Sequence, residues 1–236
     1  MITILKLILI GFYTFLLSVI ALISIAIDRT FLSYHYLSKI FSGGILFISG
    51  VKVEIYGIEN IDKNSTYVFV SNHSSQFDIT VLQWGVPNRL AMIFKKELSK
   101  IPIFGWQLKF GPYIMVDRKS PESGMKSIEE SKELMKTKGI SILVFPEGTR
   151  SETGELLPFK RGAFHLAAKV GYAIVPVTII DSDKIMPKGT FKLNRGTIKL
   201  IFDKPILTDN IKGKVDEIKL MDEIKSIMQN NKEKYR

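Results

Sequence analysis

Residues 67–78 read YVFVSNHSSQFD, a run whose character changes twice in twelve positions. Residues 67–71 are too few for a helix and consist mostly of β-branched and aromatic side chains, which predicts a buried strand. Residues 72–76 are polar, and an apolar helical pattern starts at Phe77. Strand, loop and helix in direct succession are the unit of layered α/β proteins. The alternation continues downstream. Strands are predicted at 53–56, 67–71, 91–94, 113–116, 141–145, 173–180 and 197–202, with helices at 77–84, 121–138, 160–170 and 215–229. The second helix carries Ser120 as N-cap, Pro121 at its first position and Gly139 as its stop; Gly171 stops the third. The expected fold is α/β: a single domain over residues 51–236 with a mixed, largely parallel sheet flanked by helices.

Residues 1–50 follow different rules. Between Lys6 and Asp28 lie 21 uncharged residues, of which 14 are Leu, Ile, Val or Phe. As a helix this run extends about 31 Å at about 1.5 Å per residue, the thickness of a bilayer's hydrocarbon core. It exceeds the ~7–15 residues of a secretory signal's apolar region, and no small-x-small cleavage site follows. It is predicted to be a membrane anchor. Residues 31–50 are aromatic-rich but broken by His35, Lys39 and Gly43-Gly44. Two placements fit them: at the membrane interface, folded back on the first helix, or packed on the soluble domain. Arg29 and Lys39 outnumber Lys6 near the anchor, which favours a catalytic domain on the cytoplasmic face.

Composition narrows the chemistry. A net charge of +10 over 236 residues calls for an anionic partner, whether nucleic acid, membrane surface or phosphorylated molecule. The positive residues are scattered and match no nucleic-acid-binding motif, so nucleic acid is not expected. The absence of cysteine excludes disulfides, thiolate metal sites and a cysteine nucleophile. The three histidines, His35, His73 and His165, are the whole supply for imidazole chemistry.

His73 and Asp78 stand five residues apart. On one straight helix they would diverge by about 140°. They meet only if His73 lies in the loop and Asp78 in the first helical turn, and the pattern breaks in that place. Asp78 can then accept from one ring nitrogen and leave the other as a base; the alternative is that Asp78 caps the helix and His73 lies on the surface. A second strand end, 141–145, runs into Pro146-Glu147-Gly148-Thr149-Arg150-Ser151. Gly148 permits close backbone approach and Arg150 offers a planar fork for phosphate, although an ion pair between Glu147 and Arg150 would fit the same turn. Lys160 and Arg161 open the next helix, where anions are favoured. Lys95-Lys96 close a third strand, Asp117-Arg118 a fourth, and the apolar run 101–106 between them suits an acyl groove.

Together NHSSQFD, KKELSKIPIFGW with VDR after it, FPEGTRS and IVPVTI resemble, in this order, the blocks of glycerolipid acyltransferases. The chain looks most like the branch that acylates lysophosphatidate to phosphatidate. The resemblance covers roughly residues 51–202, and an apolar N-terminal anchor is also typical. It implies O-acyl transfer from acyl-CoA or acyl-carrier protein to the free sn-2 hydroxyl of lysophosphatidate. His73 would be the general base and Asp78 its orienting partner, with no covalent intermediate, no metal and no cofactor. Asn72, Lys95, Arg118, Glu147, Gly148, Thr149 and Arg150 would bind substrate; which of Lys95 and Lys96 faces the site is open. Membrane lipids and the acyl donor are the implied partners.

Overall fold

The computed structural model describes residues 2–117 and 119–236. Two N-terminal helices, α1 (Ile2–Ile27) and α2 (Leu32–Ser49), precede an α/β domain. Its strands are β1 (Val51–Tyr56), β2 (Val68–Ser71), β3 (Leu90–Lys95), β4 (Ile114–Val116), β5 (Ser141–Val144), β6 (Ile174–Ile180) and β7 (Gly196–Phe202). Between and after them lie α3 (Phe77–Gly85), α4 (Phe104–Phe110), α5 (Pro121–Lys138), α6 (Gly162–Val170), the single-turn α7 (Ser182–Ile185) and α8 (Lys214–Tyr235). Every strand read from the sequence is present within two residues. The run 101–106 contributes the start of α4, which the sequence did not declare because Pro102 and Gly105 interrupt its pattern.

The sheet is seven-stranded, in the order β1-β7-β6-β2-β5-β3-β4. All its pairings are parallel except β6 with β7, so it is mixed and largely parallel as expected. The antiparallel joint makes β1 and β7 run opposite to the other five. Those five therefore deliver their carboxyl ends to one edge, where sites gather in open α/β sheets.

Period-two alternation sorts side chains to the two faces. Phe69, Leu143, Val175, Val177 and Ile179 join Ile45, Leu46, Phe77, Val81 and Leu82 beneath α2 and α3. Val68, Val70, Ile142 and Ile174 meet Met135 of α5, Phe164 of α6 and Leu220, Ile224 and Met228 of α8 on the opposite face. Burial on both sides explains why the central strands are near-continuous apolar runs.

The N-terminal helices form a hairpin docked on the domain. Asp28 fixes the turn by accepting from Thr30 and Ser33, through both their amides and their hydroxyls. Leu17, Ser18, Ala21 and Ile25 are buried, while Ile8, Phe12, Phe15 and Ile23 are exposed. Thr3–Ile27 is, among the described residues, the one helix long and apolar enough to cross a membrane. α2 packs on α1 and on α3 of the α/β domain at once. Lysine and arginine fasten the hairpin: Lys39 Nζ donates to the carbonyls of Trp84 and Val86, Arg89 to Thr30 O, and Lys138 to Arg29 O.

Candidate active site

β2 is central, flanked by β5 and β6, and its exit carries the NHSSQFD run. Asn72 begins the departure from the sheet. Its side-chain amide donates to Ile179 O at 2.9 Å and accepts from Ile179 N–H at 2.8 Å. The amide thus makes the hydrogen bonds that the next backbone rung of β2 would have made with β6. The main chain is released to turn, and His73 rises out of the sheet. Asn72 is buried, and its side-chain amide is committed to this bridge.

Asp78, in the first turn of α3, has no solvent exposure. Its Oδ2 accepts from His73 Nδ1 at 2.7 Å, from Ser74 N–H at 2.6 Å and from Ser75 N–H at 2.7 Å. Three donors on one oxygen hold the carboxylate in place, and that carboxylate sets the histidine tautomer with its proton on Nδ1. The opposite nitrogen, Nε2, is left for chemistry. The imidazole also stacks on Phe145, with ring centroids 4.1 Å apart and planes 16° from parallel. Ring rotation is blocked from the side and from the face. Loop and helix therefore separate His73 from Asp78 as the sequence pattern required.

The FPEGTRS turn leaves β5 beside β2 and holds His73 by its backbone. Glu147, almost completely buried, accepts from His73 N–H at 2.8 Å through Oε1 and from Leu157 N–H at 3.0 Å through Oε2. Ser151 N–H donates to His73 O at 2.7 Å. The alternative reading of this turn, a Glu147–Arg150 ion pair, is not found among the described residues; both carboxylate oxygens accept from amides instead. Burial raises the Glu147 carboxyl above its ordinary range, against the pull of those two N–H groups and of His73.

Arg150, half-buried, has no acidic partner among the described residues. Gly148 adopts φ +69°, and a Cβ there would lie 3.0 Å from Lys160 Nζ. The glycine therefore lets the Lys160 ammonium lie against the turn, a closeness that sequence spacing does not reveal. Lys160 likewise pairs with no carboxylate among the described residues. Thr149 is exposed on the same turn. Arg161 and His165 face elsewhere: both grip the buried Glu217 of α8, at 3.1 and 2.8 Å.

Lys95 ends β3 on the same edge of the sheet and pairs with Glu97 at 3.2 Å, whereas Lys96 turns to Asp117 at 3.3 Å. Both pairs are roughly half exposed and screened by solvent, so an incoming anion can displace either carboxylate. Arg118 lies outside the described residues. Of the apolar run, Phe104 lines a cavity of about 90 Å³ with Leu17, Tyr34, Phe41 and Leu108, where α1 and α2 meet α4. Trp106 is exposed.

A carboxylate-oriented histidine thus stands at the carboxyl end of a central parallel strand, with Arg150 and Lys160, neither paired with a carboxylate among the described residues, on the adjacent turn and the segment packed against it. A protein-family model described as Acyltransferase matches residues 52–180. The chain belongs to the acyltransferase family. It is 38% identical over 194 residues to the chloroplastic 1-acyl-sn-glycerol-3-phosphate acyltransferase BAT2 of Brassica napus, covering 78% of this chain and 55% of that one. To the 1-acyl-sn-glycerol-3-phosphate acyltransferase of Saccharomyces cerevisiae it is 32% identical over 210 residues, covering 88% and 68%. The chain spans about half the length of the chloroplastic relatives it matches. The crystal structure of the 1-acyl-sn-glycerophosphate acyltransferase PlsC from Thermotoga maritima superposes with a TM-score of 0.78 at 25% identity, over 100% of this chain and 99% of that one.

Proposed function

We propose that the chain transfers a fatty-acyl group from acyl-CoA or acyl-carrier protein to the sn-2 hydroxyl of lysophosphatidate, giving phosphatidate at a membrane surface. The observation that carries this reading is the His73–Asp78 pair, with Nδ1 tied at 2.7 Å and Nε2 without a hydrogen-bond partner among the described residues. Nε2 takes the proton of the lysolipid hydroxyl as that oxygen attacks the thioester carbonyl. The tetrahedral intermediate collapses with loss of the thiolate, which receives the proton back from the imidazolium. Asp78 stabilises that imidazolium while it carries the charge. Transfer is direct, with no acyl-enzyme.

The acceptor's phosphate lies against Arg150, whose guanidinium can give two parallel hydrogen bonds, with Lys160, Lys95 and Arg118 adding charge. Gly148 and Thr149 shape the turn that carries Arg150. Glu147 acts through His73 rather than on the phosphate. Metal-free catalysis is part of the reading. The apolar face of α1 and α2 rests in the cytoplasmic leaflet, bringing His73 to a lipid acceptor.

The deciding experiment uses the purified chain in lipid vesicles with labelled acyl-CoA and a panel of lysolipids, resolved by product. Phosphatidate from lysophosphatidate, lost in His73→Ala, is expected. Faster turnover of a neutral lysolipid would reassign the acceptor. No turnover with any acceptor, from acyl-CoA or acyl-carrier protein, would make this a lipid-binding protein instead.

A further inference from the structure

The loop at residues 151–157 is held from two directions. Toward the site, Ser151 N–H donates to His73 O at 2.7 Å and Leu157 N–H to Glu147 Oε2 at 3.0 Å. Away from it, Gly154 O accepts from Lys232 Nζ at 2.6 Å and from Arg236 Nη2 at 3.3 Å. Arg236 also pairs with Glu155. Gly154 has φ +74°, and a Cβ there would lie 2.8 Å from the Asp183 carboxyl group, so the loop is pressed between α7 and α8. The helix that supplies Lys232, with Arg236 just past its end, is itself fixed to the sheet. Asn231 Nδ2 donates to Thr178 Oγ1 at 3.0 Å and to Asp203 Oδ2 at 2.8 Å.

Lys232 is only 3% exposed, unusual for a lysine on an otherwise charged helix. Burial pushes its amine below the ordinary lysine range, and Arg236 adds to this; Glu155, Asp183 and Glu147 oppose it. A surface ion pair would not require such burial. The ammonium has instead been drawn inward to a glycine carbonyl three residues before the amide that binds Glu147.

We propose that Lys232, on a helix beyond the residues matched by the family model, is a positioning residue for acyl transfer: it clamps the 151–157 loop so that Ser151 and Leu157 hold His73 and Glu147, and Arg150 keeps its aim. The inference rests on the roles proposed above for His73 and Arg150. Removing the clamp frees the loop without removing any group that touches substrate. Arg150 immediately precedes the loop, so the acceptor side suffers first. Misplacement of about 1 Å can cost up to about a hundredfold in rate, and a partly loosened loop should cost roughly tenfold.

The test combines hydrogen exchange and kinetics on the full chain in vesicles. In Lys232→Met, amides at 151–157 should exchange about tenfold faster while those of the central strands stay protected. KM for lysophosphatidate should rise roughly tenfold and kcat fall, with the acyl-donor KM unchanged. Lys232→Arg should restore part of both. Arg236→Gln, more exposed and safe for folding, should move both readouts the same way by less, and it decides the matter if Lys232→Met fails to fold. Unchanged exchange at 151–157 overturns the proposal. So does a loss of kcat alone with both KM values fixed, the signature of less folded enzyme. Exchange needs no turnover, so the clamp can fail independently of the base assignment, which falls only if His73→Ala stays active.

Discussion

Replacing Glu147 by glutamine keeps the side chain's shape and changes which atoms can accept. Each native carboxylate oxygen takes one backbone N–H, from His73 at 2.8 Å and Leu157 at 3.0 Å. Glutamine offers one oxygen, and its NH2 group meets the second N–H donor to donor. The lost charge-assisted bond is worth about 1.5–3 kcal/mol and the orphaned N–H costs about 1–3 kcal/mol more. An opposing effect reduces the total. Burial raises the Glu147 carboxyl despite those two bonds, so desolvation outweighs them, and glutamine carries no such penalty. The two effects oppose each other, so Tm should change by less than the hydrogen-bond terms alone would give. The raised carboxyl also has a signature in pH. Above its ordinary value of 4.5 the folded chain holds a proton that the unfolded chain has lost, so this group's contribution to stability falls as pH rises through the window up to the raised value. Glu147→Gln should remove that slope. Catalysis should suffer more than stability, because the variant loosens the backbone of the base: kcat should fall roughly 10- to 100-fold with KM values little changed. Saturation curves in each substrate, with thermal melts from about pH 4 to about pH 8, measure both effects. A rise in acceptor KM with kcat intact would refute the reasoning and return Glu147 to the phosphate pocket.

His73→Ala should lower kcat by about 10²- to 10⁴-fold, the range of general-base catalysis; near-native turnover would exclude His73 as the base. Asp78→Asn should lose most activity yet keep its fold, since an amide oxygen can still accept from Ser74 and Ser75 N–H; a collapsed circular-dichroism spectrum would show that the charge serves folding instead. Arg150→Lys should raise KM for lysophosphatidate and lower kcat/KM by about 10- to 150-fold through loss of a charge-assisted hydrogen bond. If the donor curve moves instead, Arg150 belongs to the thioester side. Deleting residues 1–27 should uncover Tyr34, Leu108 and the cavity they line and leave the protein aggregated; a soluble, monodisperse product would show that α1 is not part of the domain's packing.

The strands, most helices and the His73–Asp78 pair were legible because each is written locally. Period-two runs name strands, Ser120, Pro121 and Gly139 delimit α5, and a polar gap between strand and helix sets His73 apart from Asp78. Strand order and direction are not local. The antiparallel joint of β6 and β7 joins runs whose apolar patterns read alike whichever way they point, so the pattern reveals buried faces but not neighbours. Backbone hydrogen bonds are equally silent, because every residue carries the same amide. The sequence therefore marks Glu147 and Asn72 as polar residues near a substrate. In the fold, the His73 and Leu157 amides take the Glu147 carboxylate and Ile179 takes the Asn72 amide. Lys232 is the extreme case. Seventy-eight residues separate it from Gly154, and only the return of α8 across the sheet turns one of many lysines into a buried donor beside the site.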